Sequence, residues 1–189
     1  MKINRPKLTA RLGIYLAGLI VLAFGITLAV NSNLGVSPVT SLPYVISQVL
    51  NITLGTCTIL VYTCYIFLQM ILKGGKFQPA LLLQLVFSTV FGYLVDGTKL
   101  LLGDFVPATY FGRLAMLAAS IVLIGFSLVL YIDVKIAPMP PEGLVTCIAD
   151  KLGKVVGIRE GTIITALLVG KLTGFFRKLL TPFLQKTCF

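Results

Sequence analysis

Five runs of sixteen to twenty mostly apolar residues, separated by short stretches that carry most of the charge, constrain this chain more than any other feature. They extend from Leu12 to about Val30, Leu54 to Leu72, Pro79 to about Val95, Arg113 to about Ile132, and Gly161 to Phe176. A helix needs roughly 20 such residues to cross a hydrocarbon layer about 30 Å thick. Lipid offers no partner for a backbone N–H or C=O, so a run of this kind closes its hydrogen bonds on itself as a helix. The composition agrees: of 189 residues 57% are hydrophobic and 12% charged, with a mean hydropathy of +1.00. Soluble domains carry about 25% charged residues, so a soluble globular fold is excluded. Disorder is excluded as well, because disordered segments are poor in apolar residues.

The first run is preceded by Lys2, Arg5, Lys7 and Arg11, the layout of a secretory signal. It exceeds the roughly 7–15 apolar residues of such a signal and no Ala-x-Ala site follows, so it reads as an uncleaved span. The stretch from Asn31 to Pro38 breaks the helix. Leu42 to Leu50 is apolar but too short to cross, which leaves a half-helix, a re-entrant piece or an interfacial one. Lys73-Gly-Gly-Lys76 is a turn between two anchoring charges, and Pro79 suits the first turn of the third span. Asp96 and Lys99 are spaced to pair on one face as a solvated cap. After Asp133 comes a second break, Ala137-Pro-Met-Pro-Pro-Glu-Gly143, followed by an amphipathic stretch from Leu144 to about Val156. The expected fold is all-α: one polytopic membrane domain over 1–189, with about five transmembrane helices and two short broken or re-entrant ones.

Basic residues concentrate on the cytoplasmic side of membrane proteins. With the N-terminus inside, two crossings return the Lys73–Lys76 turn to the inside, as expected. Five crossings leave Arg177, Lys178 and Lys186 outside, against the rule. Either the segment from Leu144 to Val156 crosses or dips into the membrane, or the rule is broken, or a span is missing.

An offset of one hundred residues aligns Gly25 with Gly125, Leu28 with Leu128 and Pro38 with Pro138, and Gly55-Thr56 returns opposite Gly161-Thr162 after an insertion of six. This suggests a weak repeat, about 12–73 and 112–176, inverted because three crossings separate its halves, as in repeat-built transporters. The long span, the Leu-Gly-Val-Ser-Pro38 break, the short helix and Leu-Gly-Thr56 resemble the first half of the YczE/YyaS/YitT-type bacterial integral membrane proteins. The Pro-Met-Pro-Pro-Glu-Gly143 break and Val-Gly-Ile-Arg-Glu-Gly-Thr-Ile163 resemble the second half. The resemblance implies a multi-pass protein of the bacterial cytoplasmic membrane and no agreed substrate. Its members usually carry one more span, between the equivalents of Leu144–Lys154 and Val156–Thr162. This sequence lacks it, which would account for the charge conflict at the C-terminus and puts the family's full activity in doubt here.

The chemistry on offer is thin. There is no His, and Cys57, Cys64, Cys147 and Cys188 form no CxxC pair, so no metal site or cofactor is expected. No HExxH, GxSxG, phosphate-loop or dinucleotide glycine pattern is present, and an enzyme is not expected. A net charge of +10 would suggest nucleic acid in a soluble protein, but these basic residues flank apolar runs and address the bilayer instead. Small residues recur at helical spacing at Gly18 and Gly25 in the first span and at Ala166, Gly170 and Gly174 in the last. Such ridges let helices approach closely, within one chain or in a homodimer.

Polar groups in and beside the spans are the candidates for function, since an unpaired buried amide or hydroxyl costs about 1–3 kcal/mol. Candidate substrate-binding residues are Asn33, Ser37, Pro38, Thr40 and Ser41 at the first break, and Asp133, Pro138 and Glu142 at the second. Gln84 and Ser88, four apart, share a face of the third span and point to a polar cavity. Ionisable groups at membrane depth are sharper signals, and Asp133, Glu142 and Lys171 are the candidates. Asp133 and Lys135 could equally form an interfacial anchor pair, and the two breaks could be surface loops with proline turns. The leading expectation is a small-solute permease whose breaks face each other across the interior. The competing one is a non-transporting scaffold, regulator or accessory protein.

Overall fold

The computed structural model describes residues 5–74, 79–134 and 136–152. All six elements are helices: α1 (Arg5–Ser32), α2 (Pro38–Leu50), α3 (Leu54–Leu72), α4 (Pro79–Leu102), α5 (Tyr110–Asp133) and α6 (Pro140–Leu152). Among the described residues, four helices are long and apolar enough to cross a membrane: Thr9–Ser32 within α1, α3, Ala80–Leu102 within α4, and α5. The fifth expected crossing, Gly161 to Phe176, lies outside the described residues, as do Ala166, Gly170, Lys171, Gly174 and the second half of the proposed repeat beyond α6.

The helices sort into two units. The first holds α1 and α5. Gly18 and Gly25 are seven residues apart on one face of α1, and both lie against α5. A methyl on Gly18 would sit 3.0 Å from Leu130 Cβ, and one on Gly25 would sit 2.8 Å from Ile124 Cγ1. Tyr15 meets Tyr131 edge-on, with ring centroids 6.2 Å apart. At one end Arg11 Nη2 donates to the Val134 carbonyl at 2.6 Å. That carbonyl belongs to the C-cap of α5, where a cation also meets the negative end of the helix dipole. At the other end Asn31 Nδ2 donates to the Gly103 carbonyl at 2.9 Å. Contacts that descend α5 as they climb α1 make the pair antiparallel.

The second unit holds α2, α3, α6 and all of α4 but its last residue. Antiparallel packing of α3 and α4 starts at a glycine crossing. Gly55 and Gly92 approach so closely that a methyl on either would collide with the other's carbonyl oxygen. Farther along, the rings of Tyr62 and Phe91 stack with centroids 6.2 Å apart. Both α2 and α6 pack on α3. Each short helix has 13 residues, about 20 Å at 1.5 Å per residue and well short of a bilayer core. α2 turns Thr40, Pro43 and Ser47 inward and Leu42, Val45 and Val49 outward. That is the reverse of a helix on a water-soluble protein, and suits an element with lipid on its open side.

Helix ends differ from the sequence reading where caps decide them. α2 begins at Pro38, four residues before the apolar run, because Ser37 caps it: its hydroxyl accepts the Thr40 N–H at 3.3 Å. α5 begins at Tyr110 because Thr109 accepts the Gly112 N–H at 3.2 Å. α4 runs on past Val95 to Leu102. Asp96 does not end it, because that carboxylate caps α3: Oδ1 accepts the Gly55 N–H and Oδ2 the Thr53 hydroxyl, each at 2.7 Å.

Candidate functional site

Two buried carboxamides of the second unit meet where the end of α3, the start of α4 and the first turn of α6 converge. Gln69 sits one turn before the end of α3 and is 1% exposed; Gln84 sits in the second turn of α4 and is 4% exposed. Gln69 Nε2 donates to the Pro140 carbonyl at 3.0 Å, which ties α3 to the N-terminus of α6. Both side chains close on Gly143. A methyl there would lie 2.7 Å from Gln69 Oε1 and 2.9 Å from Gln84 Nε2, so a glycine at this point of α6 is what lets the two carboxamides come so near. The Oε1 of Gln84 is buried and accepts no hydrogen bond. Within a span this is costly, since an unpaired buried acceptor forfeits its hydration for nothing.

Glu142 stands beside this cluster and has a local task. It is the third residue of α6, and its Oε2 accepts the backbone N–H of Met139, the residue before the helix, at 3.3 Å. This is the reaching-back half of a capping box. Tyr62 is buried on the α3 face that also carries Gln69.

The other sequence candidates divide between the two units. At the first break Asn33 belongs to the first unit, is exposed, and ends α1 in the left-handed conformation with φ of 53°. Ser37, Pro38, Thr40 and Ser41 belong to the second and are engaged in starting α2. Ser37 Oγ lies 3.0 Å from Thr40 Oγ1, and Ser41 donates to the Pro38 carbonyl at 2.8 Å. Asp133 is the half-buried last residue of α5 in the first unit, whereas Pro138, exposed, and Glu142 belong to the second. Each break thus carries the chain from one unit into the other. Ser88 is fully buried one turn from Gln84, but its hydroxyl donates to its own helix at the Leu85 carbonyl, 2.9 Å away.

Of the ten candidate binding residues, Gln84 and Glu142 are the two drawn to this junction. Sequence reasoning missed Gln69 and Gly143. The signal for Gln69 was an amide inside the apolar run Tyr-Ile-Phe-Leu-Gln-Met-Ile-Leu72. It also missed the bond from Asp96 to Gly55. Among the described residues no group of His, Cys, Asp and Glu could hold a metal ion, and Cys57, Cys64 and Cys147 are free thiols.

The chain is 29% identical over 167 residues to the uncharacterized membrane protein YczE of Bacillus subtilis (strain 168), covering 86% of this chain and 74% of that one. It is 26% identical over 156 residues to the uncharacterized protein YyaS of the same organism, covering 82% and 76%. No solved structure matches it. With four apolar helices of spanning length and a relative named as a membrane protein, this is an integral membrane protein. Residues 9–155 match the model of a family of unknown function, DUF6198, and the chain belongs to that family.

Proposed function

We propose that the protein is a small-solute permease of the bacterial cytoplasmic membrane, with its N-terminus in the cytoplasm. The observation that carries this reading is the first turn of α6 seated against two buried carboxamides, Gln69 and Gln84, inside helices of spanning length. A purely structural bundle gains nothing from an unpaired acceptor in lipid, whereas a passage for a polar solute needs such groups. The short helices add support, because discontinuous elements inside a bundle are how many transporters build their binding sites. Antiparallel α1 and α5 fit α2 as a piece that does not cross: with α1, α3, α4 and α5 crossing, the first and last run in opposite directions. The reading is non-enzymatic, needs no metal or cofactor, and has lipid and one solute as partners, with no nucleic acid. A homodimer through the small residues Ala166, Gly170 and Gly174 of the last apolar run is compatible with it.

One observation favours the second reading, a scaffold or accessory protein. Ser37 and Glu142 cap the short helices, and the Thr40 and Ser41 hydroxyls are bonded within the first turn of α2, which reduces what the breaks can offer a solute. Purified full-length protein in proteoliposomes decides between the two. Saturable, protein-dependent uptake of any solute in a panel of small neutral and charged metabolites supports the permease, and uptake no faster than in empty vesicles across the panel overturns it.

A further inference from the structure

We infer that the α3–α4–α6 junction binds a hydrogen-bond donor group of a small neutral solute, such as a primary amide or an alcohol, with Gln84 Oε1 as the acceptor. This rests on the permease reading and adds the class of solute to it. Three observations lead here. The Oε1 of Gln84 is buried and accepts nothing. The carboxamide that bears it is aimed into the first turn of α6, with Nε2 2.9 Å from where a Gly143 methyl would be. Gln69 turns a second carboxamide oxygen to the same point, while its nitrogen is held by the Pro140 carbonyl.

The groups that converge are neutral and two-faced: each carboxamide presents an acceptor and a donor about 2.3 Å apart on one rigid plane. That pattern matches a primary amide or a hydroxyl, each of which both donates and accepts hydrogen bonds. Glu142 does not turn the site into a cation trap, because its carboxylate caps α6 at the Met139 N–H and lies at the positive end of that helix. An ion would also bear a far larger desolvation penalty than a neutral donor in this setting. A bare Cα at Gly143 is what lets both carboxamide ends approach α6 this closely.

The test compares full-length wild type with Gln84→Leu and Gln84→Glu in detergent, using acetamide as probe with sodium acetate and methylammonium chloride as its charged counterparts. Without probe, Gln84→Leu should melt at or above wild type, because it removes an unpaired acceptor and keeps the volume. Acetamide should raise the wild-type midpoint by about 2–4 °C at several times its dissociation constant, with neither ion matching it and Gln84→Leu losing the shift. A shift with methylammonium alone, strengthened in Gln84→Glu, overturns the neutral class. Equal shifts in wild type and Gln84→Leu, or none in either, overturn the site and leave a resident water as the partner of Gln84. Flux in vesicles separates this from the parent reading. Acetamide binding without flux retains the site and removes the permease, and solute flux untouched by Gln84→Leu does the opposite.

Discussion

The carboxylate of Asp96 accepts the backbone N–H of Gly55 at 2.7 Å, across 41 residues of sequence. The second residue of α3 therefore donates its hydrogen bond to a side chain in the C-terminal half of α4. A carboxylate at a helix N-terminus satisfies a free N–H and meets the positive end of the dipole together. Asp96→Ala should lower unfolding stability in detergent by about 1.5–3 kcal/mol, the range for a hydrogen bond to a charged group. Asp96→Asn, which keeps an acceptor, should lose less. Equal midpoints for Asp96→Ala and wild type in a denaturant titration would remove the cap from any role in holding α3 to α4.

Two glycines should respond in opposite ways to the same added methyl. At Gly55 it would meet the Gly92 carbonyl oxygen, which is backbone and cannot swing aside. Gly55→Ala should therefore cost about 3 kcal/mol through overpacking, enough to cut the yield of folded protein. At Gly143 the methyl would meet only the ends of Gln69 and Gln84. Those can rotate away, and the helix preference for alanine over glycine returns up to about 1 kcal/mol. Gly143→Ala should then stay within about 1 kcal/mol of wild type by calorimetry yet abolish any solute-induced shift. Similar losses of stability at both positions would contradict the packing described.

Much of this organisation was legible in the sequence, and the gaps have physical causes. α3 was read at its observed bounds and α4 at its observed start, because Lys73 and Pro79 punctuate apolar runs. The end of α4 was misread because a charge in sequence looks like a boundary, while in space Asp96 finds its partners on α3. Gln69 was passed over for a related reason. Hydropathy along one helix says nothing of what stands opposite, and the significance of Gln69 comes from Pro140 and Gln84. Gln84 was found through its shared face with Ser88, yet Ser88 is satisfied by its own helix, so the partner that matters lay elsewhere.

Topology gives a prediction independent of the site. Reporter fusions at residue 2 and at residue 75 should both report the cytoplasm, since Lys2, Arg5, Lys7 and Arg11 flank one and Lys73 and Lys76 the other. An external signal at either would overturn the assigned orientation. A fusion after Lys178 should report the outside if five segments cross, and a cytoplasmic signal there would mean that the segment containing α6 crosses too.

Cysteines at Ser37 and Ala137, in a chain stripped of its native thiols, probe the two breaks. Ser37 is half-buried and Ala137 is 7% exposed. If the breaks line a polar cavity, small membrane-impermeant reagents should label both and bulky ones should lag. Rapid labelling of both positions by reagents of every size would leave two surface loops.

The pairing of α1 with α5 has a temporal side. Gly18 and Gly25 are shaped for Leu130 and Ile124, but α2, α3 and α4 leave the ribosome first. At about 5–20 residues per second, the stretch from Ser32 to Tyr110 takes about 4–15 s to synthesise. For that interval the first helix lies in the membrane with its small-residue ridge open to any neighbour, while α3 and α4, only six residues apart in sequence, can pair at once. Nascent chains arrested before Tyr110 should therefore cross-link to one another through a cysteine at Ala29, one turn along that ridge from Gly25 and buried in the complete fold, and completed chains should do so far less. The oldest part of the chain acquires its partner late, so the membrane must keep α1 solitary until α5 arrives.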